Sequence, residues 1–170
     1  LSRVTEKKLV EKNIPYEIFG GVRFYQRMEI LDILAYLRLV AYGDDASFLR
    51  VVNTPRRRFG RGKLNYLEEL REREAAEGLP YRSLYATLAE HLDEKEFVNS
   101  DVGSFVRFME EMRGSYKTRR ISDIVNKVTE MSGYESYIRG LGDEERLDNL
   151  AEFKRIANEF EHDFGETLSL

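Results

Sequence analysis

The sequence predicts a mainly α protein of about seven to nine helices, with one short orphan strand near residues 16–19. Three observations lead there. Apolar residues recur at helical spacing through most of the 170 residues, the pattern of amphipathic helices that each bury one stripe. Glycine, proline, aspartate and asparagine fall where one pattern stops and the next begins, as caps and breakers do. Only Tyr16-Glu17-Ile18-Phe19 alternates with the period of a strand.

The first segment, Val4 to Lys12, reads as a short helix on Val4, Leu9 and Val10, ended by Asn13 with Pro15 beyond. The strand that follows stops at Gly20-Gly21. A lone strand needs a sheet to join. Together with a start at Leu1-Ser2-Arg3 and no initiator methionine, it predicts a piece of a longer protein.

Phe24 to Tyr42 carries the strongest helical pattern. Phe24, Met28, Leu31, Leu34 and Ala35, with Ile30, Ile33, Leu37 and Val40, make a stripe wide enough for burial over most of the circumference. Gly43 stops it. Asp44 or Asp45 then caps a helix to about Val52, with Phe48, Leu49, Val51 and Val52 facing inward.

A helix from Gly62 or Lys63 to about Glu77 uses Leu64, Leu67 and Leu70 and ends at Gly78. Further helices are predicted over Tyr81 to Leu92, over Val102 to Met112 with Asp101 as cap, and over Ile121 to Met131. A short piece over Tyr134 to Arg139 leads to Gly140-Leu141-Gly142, which, like Gly20-Gly21, is a candidate flexible point or a simple turn. The last helix starts at Asp143 and carries Leu147, Leu150, Phe153, Ile156, Ala157 and Phe160.

Composition excludes several kinds of chemistry. A chain of 170 residues with 42% hydrophobic and 34% charged residues suits one globular domain, or one domain with an extra lobe. No apolar run nears the roughly 20 residues of a membrane span, so no membrane partner is expected. The absence of cysteine removes disulfides and thiolate chemistry and fits a reducing, cytoplasmic location. His91 and His162 lack the paired spacing of a zinc helix and read as solvated surface. Asp143-Glu144-Glu145 reads as the acidic start of a helix, not a metal cage. No nucleophile–base set can be assembled, so no catalytic or metal residue is expected within these residues.

One stretch stands apart. Asn53 to Lys63 reads Asn-Thr-Pro-Arg-Arg-Arg-Phe-Gly-Arg-Gly-Lys, with five basic residues and no acid in a chain of net charge -4. Residues 1–63 carry thirteen basic against seven acidic groups, whereas residues 143–170 carry three against nine. A glycine-punctuated basic turn opening onto a helix can seat phosphates, since free N–H groups and the helix dipole both favour anions. A solvated loop rich in arginine is the plainer reading of the same residues. Gly60-Arg61-Gly62-Lys63 is not a nucleotide-binding P-loop, because Arg57 and Leu64 stand where that loop needs Gly and Ser or Thr.

Two stretches carry a family resemblance. Ile14-Pro15-Tyr16-Glu17-Ile18-Phe19-Gly20-Gly21, then Phe24, Arg27, Glu29 and Ile30, then Asp32 and Leu34-Ala35-Tyr36-Leu37-Arg38, closely resemble a signature of the UvrD/PcrA/Rep DNA helicases. That signature runs I-P-Y-x-I-x-G-G-x-x-F-x-x-R-x-E-I, followed by D-x-L-A-Y-L-R. Asp44-Asp45, Phe48-Leu49-Arg50 and Val52-Asn53-Thr54-Pro55 extend it in register, and Arg146-Leu147-Asp148-Asn149-Leu150 resembles the family's R-x-E-N-L. Residues 64–142 match by helical layout more than by motif.

The resemblance implies a fragment of a superfamily 1, ATP-dependent 3′-to-5′ helicase that unwinds DNA in replication or repair. It implies residues 1–23 as a flank of the second RecA-like motor domain, 24–142 as its helical 2B insert, and 143–170 as the helix leading back to the motor. ATP and Mg would belong to the parent protein, with no cofactor and no ATPase activity in this piece. DNA, as duplex or as a duplex/single-strand junction, and the remaining motor domains would be its partners. The family's duplex-contacting turn P-x-R-G-I-G corresponds to Pro55-Arg56-Arg57-Arg58-Phe59-Gly60, with Phe59 for Ile and Arg58 for the first Gly. The expected DNA contacts are Arg56, Arg57, Arg58, Gly60, Arg61, Gly62 and Lys63. Gly20, Gly21, Arg27 and Glu29 are the expected motor–insert junction, with Arg27 and Glu29 either pairing as a buried ion pair or Arg27 reaching a single strand. The alternative is a helical protein-interaction module, recruiting repair or transcription partners without touching DNA.

Overall fold

The computed structural model describes residues 22–164. Among them are ten α-helices and one 3₁₀ turn and no strand: α1 (Val22–Tyr25), α2 (Met28–Tyr42), α3 (Asp45–Val51), α4 (Arg61–Ala76), α5 (Leu84–Glu90), α6 (Lys95–Val98), α7 (Val102–Ser115), the 3₁₀ turn Tyr116–Thr118, α8 (Ile121–Met131), α9 (Tyr134–Gly140) and α10 (Glu144–Phe164). The mainly α class holds. The expected strand over 16–19, the expected helix over 4–12 and Gly20-Gly21 lie outside the described residues.

The molecule is built round α2. Ile30, Ile33, Leu34, Ala35, Tyr36, Leu37, Leu39 and Val40 are all buried, so it is apolar on nearly every side. It is covered by α3, α7, α8 and α10. Gly43 ends it in the left-handed conformation (φ 63°) with its N–H returned to the Leu39 carbonyl, a conformation that glycine adopts without a Cβ clash. The described apolar core is one continuous cluster, running from Phe24 through Phe48, Leu67, Met109 and Val128 to Phe160.

Several helix starts are capped as side-chain chemistry requires, among them α10, where Asp143 accepts from the Arg146 N–H at 3.1 Å. Asp44 accepts from the Ser47 N–H at 3.0 Å and Ser83 from the Ala86 N–H at 3.1 Å. The start of α8 is capped from a distance: buried Glu161 of α10 accepts from the Ser122 N–H at 2.9 Å. These bonds satisfy backbone donors that a helix cannot pair internally.

Several expectations need correction. The single helix expected over Phe24 to Tyr42 is broken at Gln26–Arg27, where Arg27 is extended (φ -68°, ψ 142°). The break lets Phe24 and Tyr25 both enter the core, with their rings edge to face at 5.2 Å. Met28 and Leu49, expected inside, are 59% and 45% exposed. The helix expected from Tyr81 begins only at Leu84, and the short α6 was not foreseen. Asp101 begins α7 without a side-chain capping bond, because its carboxylate is engaged elsewhere. His91 is not a solvated histidine: its ring meets the Thr87 carbonyl at 2.8 Å and the Glu74 carboxylate at 2.8 Å, tying α5 to α4.

A candidate nucleic-acid interface

The stretch from Asn53 to Gly60 leaves α3 and enters α4 as a turn held from beneath. Asn53 accepts from the N–H groups of Arg57 (2.8 Å) and Phe59 (3.3 Å), which curls the chain around its own side chain. Phe59 is buried, stacked on Phe97 at 6.0 Å and edge-on to Phe48 at 6.2 Å. Aromatic pairs at these distances add to the area they bury. The Thr54–Pro55 bond is cis.

Arg57 is the anchor, and here the structure departs from expectation. Its side chain is turned inward and the residue is 5% exposed. The guanidinium donates to the carbonyls of Val51 (2.7 Å) and Val52 (3.1 Å), which end α3, and to that of Ser132 (2.9 Å), which ends α8. It also donates to the Tyr36 hydroxyl at 2.8 Å and lies 4.3 Å over the Phe105 ring. Two helix C-termini present partial negative charge to it, so the buried cation is matched without a carboxylate. A phosphate contact by Arg57 is incompatible with this placement.

The network continues inward. The Tyr36 hydroxyl donates to the Thr54 carbonyl. Asp32, one turn away on α2 and buried, accepts from Arg50 at 2.8 Å and from the Tyr134 hydroxyl at 2.6 Å. Burial pushes the Tyr36 phenol above its ordinary range, and burial with the Asp32 carboxylate does the same for Tyr134. Both hydroxyls therefore stay protonated donors.

The other predicted residues sit on the outer side of the turn. Arg56, Arg58, Gly60, Arg61 and Gly62 are exposed and Lys63 is half-buried. Among the described residues Arg56, Arg61 and Lys63 make no ion pair. Arg58 does: its guanidinium forks onto Asp101, Nε to Oδ2 at 3.1 Å and Nη2 to Oδ1 at 3.0 Å. Arg58 also has φ 56°, a left-handed conformation that a Cβ disfavours. A glycine would fit this position without strain.

Helix α4 opens onto this surface. Gly60 precedes it without a side-chain cap, and its first turn holds no acid. A Cβ built on Gly60 or Gly62 would meet nothing within 4 Å, and neither has a positive φ. Nothing internal requires glycine there. The first N–H groups of this 16-residue helix therefore have no side-chain cap, and Arg61 and Gly62 in its first turn are exposed.

Of the four residues expected at the junction, Arg27 and Glu29 are described, and Gly20 and Gly21 lie outside the described residues. Arg27 pairs with Glu145 at 2.6 Å, and buried Glu29 accepts from Asn149 at 2.7 Å with Arg146 at 3.9 Å. Arg27 and Glu29 do not pair with one another. Each instead fastens the start of α2 to the start of α10, so the two motif stretches, far apart in sequence, meet in space.

Fold and contacts define a helical domain in which the two motif stretches meet, and comparison with known proteins gives its family. The profile of the UvrD-like helicase C-terminal domain matches residues 1–169, and the chain belongs to that family. It is 35% identical over 166 residues to the ATP-dependent DNA helicase PcrA of Leuconostoc citreum, covering 94% of this chain and 22% of that protein. It is 41% identical over 111 residues to DNA helicase II of Escherichia coli (strain K12), covering 64% and 14%. With the ATP-dependent DNA helicase UvrD1 of Mycobacterium tuberculosis (strain ATCC 25618 / H37Rv) it shares 33% over 166 residues, covering 95% and 21%. The chain thus spans 14–22% of the length of these relatives.

Proposed function

We propose that this chain is the duplex-engaging helical insert, the 2B subdomain with its flanks, of an ATP-dependent 3′-to-5′ DNA helicase. It grips the DNA backbone through the outer face of the Asn53–Lys63 turn and so regulates unwinding. One observation carries this reading: the helix start at Gly60 has no side-chain cap and no acid in its first turn, it is flanked in sequence by Arg56, Arg61 and Lys63, which make no ion pair among the described residues, and a Cβ on either of its glycines would meet nothing within 4 Å. Free backbone N–H groups, the helix dipole and neighbouring basic side chains all favour an anion at this end of α4. No side chain of the turn is arranged to read base edges, so binding is independent of sequence. Nucleotide hydrolysis belongs to other parts of the parent protein, as does Mg.

The test is the salt dependence of binding to a duplex with a single-stranded tail. With Arg57 withdrawn, four cations remain: Arg56, Arg58, Arg61 and Lys63. The logarithm of the binding constant should fall against the logarithm of salt with a slope of about -3 to -4, at roughly -0.9 per phosphate neutralised. Replacing Arg56, Arg61 and Lys63 together by Ala should flatten the slope by about 2 to 3. Unchanged affinity in that triple variant would overturn the reading.

A further inference from the structure

Among the described residues, Arg58 is the one exposed cation of the turn with a carboxylate partner, and the side chain of that partner, Asp101, makes no other hydrogen bond. Asp101 starts α7 but caps none of its N–H groups, unlike Asp44 at α3. Its own N–H donates to the Arg57 carbonyl at 2.9 Å, which fixes it beside the turn whatever its side chain does. The carboxylate meets the Arg58 guanidinium in a two-bond fork. A phosphate presents two oxygens to arginine in the same way. Both partners are open to solvent, at 66% and 55% side-chain exposure, so an incoming phosphate can reach Arg58 without any rearrangement of the fold.

We propose that Asp101 is an internal competitor for the DNA backbone: it occupies the fork of Arg58 in the free protein and yields it to a phosphate on binding. The proposal rests on the reading of the turn as the backbone contact. An ion pair this exposed is weak, so the exchange is easy, yet every binding event must break it and bring a phosphate near a carboxylate. Asp101 therefore lowers affinity and shortens the residence of DNA on the turn. Where the family resemblance expects glycine, this chain has an arginine with an acid opposite, and the pair acts as an adjustable contact in place of close backbone approach.

The test is tailed-duplex binding by the chain and by Asp101→Asn, Arg58→Ala and the double variant, at low and moderate salt. Asparagine keeps the backbone bond to Arg57, and a thermal midpoint close to the parent's will show an intact fold. Asp101→Asn should tighten binding on the order of three- to tenfold, from release of a weak surface pair and loss of one repulsion. Arg58→Ala should weaken binding, and in its background Asp101→Asn should gain much less. Equal gains in both backgrounds would show plain charge repulsion and overturn the competitor role, and so would no gain in the parent. If the Arg56, Arg61 and Lys63 variant loses binding while Asp101→Asn changes nothing, the turn remains the contact and only the competitor fails. If neither changes binding, both readings fall.

Discussion

Arginine does two opposite jobs within two consecutive positions. At 57 the guanidinium is buried and closes two helix ends; at 58 it is at the surface on a strained backbone. Arg57→Ala strips hydrogen bonds from the Val51, Val52 and Ser132 carbonyls and from Tyr36, and should destabilise by about 3 kcal/mol or more. Arg57→Lys keeps the charge but not the fork, and should recover less than half of that in urea denaturation. Arg113 repeats the device, donating to the Leu39 and Val40 carbonyls at the end of α2 and lying 5.3 Å over Tyr85. Its guanidinium would come within 2.9 Å of a Cβ at Gly43. Gly43→Ala should therefore cost more than the roughly 1–2 kcal/mol of left-handed strain alone, read from the denaturation midpoint. The buried phenols add a pH signature. Tyr36, Tyr85 and Tyr134 all titrate above their ordinary value of 10.0 in the folded state. Their contribution is complete below the unfolded value and is lost as pH rises past it. Stability should fall from about pH 10 upward by as much as ~1.4 kcal/mol per pH unit for each group. A flat stability profile from pH 9 to 11 would contradict the burial of these hydroxyls.

At the scale of elements, α4 gives up stability at its start. Gly62 lies in its first turn with open space beyond its missing Cβ. Gly62→Ala should stabilise the fold by about 0.5–1 kcal/mol and at the same time weaken duplex binding, because a methyl group then stands where a phosphate approaches. Measuring both on one variant separates a packing role from a binding role: a gain in stability with unaltered affinity would remove the glycine from the site. Helix α10 acts as a strap over α8, α9 and α2. Its buried residues Leu150, Phe153, Ile156 and Phe160 carry it, and Phe160→Ala should cost about 3–5 kcal/mol. Glu161 makes the strap two-way, since it also completes the start of α8.

At the scale of the whole molecule, one continuous core joins helices from both ends of the described chain. Unfolding should be a single cooperative step, with near- and far-ultraviolet circular dichroism transitions that coincide; separated transitions would mean that α10 docks independently. The helical order and the burial of α2 were legible in the sequence because periodicity reports burial directly. The pairing of Glu29 with Asn149 was not, since no local pattern links positions so far apart. Arg57 was misread for a related reason: a run of three arginines gives no sign of which one is paired to carbonyls, and those carbonyls belong to helix ends placed by tertiary packing. Arg58 was marked beforehand only by its departure from a glycine, and its positive φ gives that departure a physical meaning. The inward side of the turn has a mechanical corollary. A pull on Arg56 or Arg61 passes through the Arg57 guanidinium into the ends of α3 and α8 and through Tyr36 into α2. Tension applied at the surface should therefore load the central helix as well as the loop.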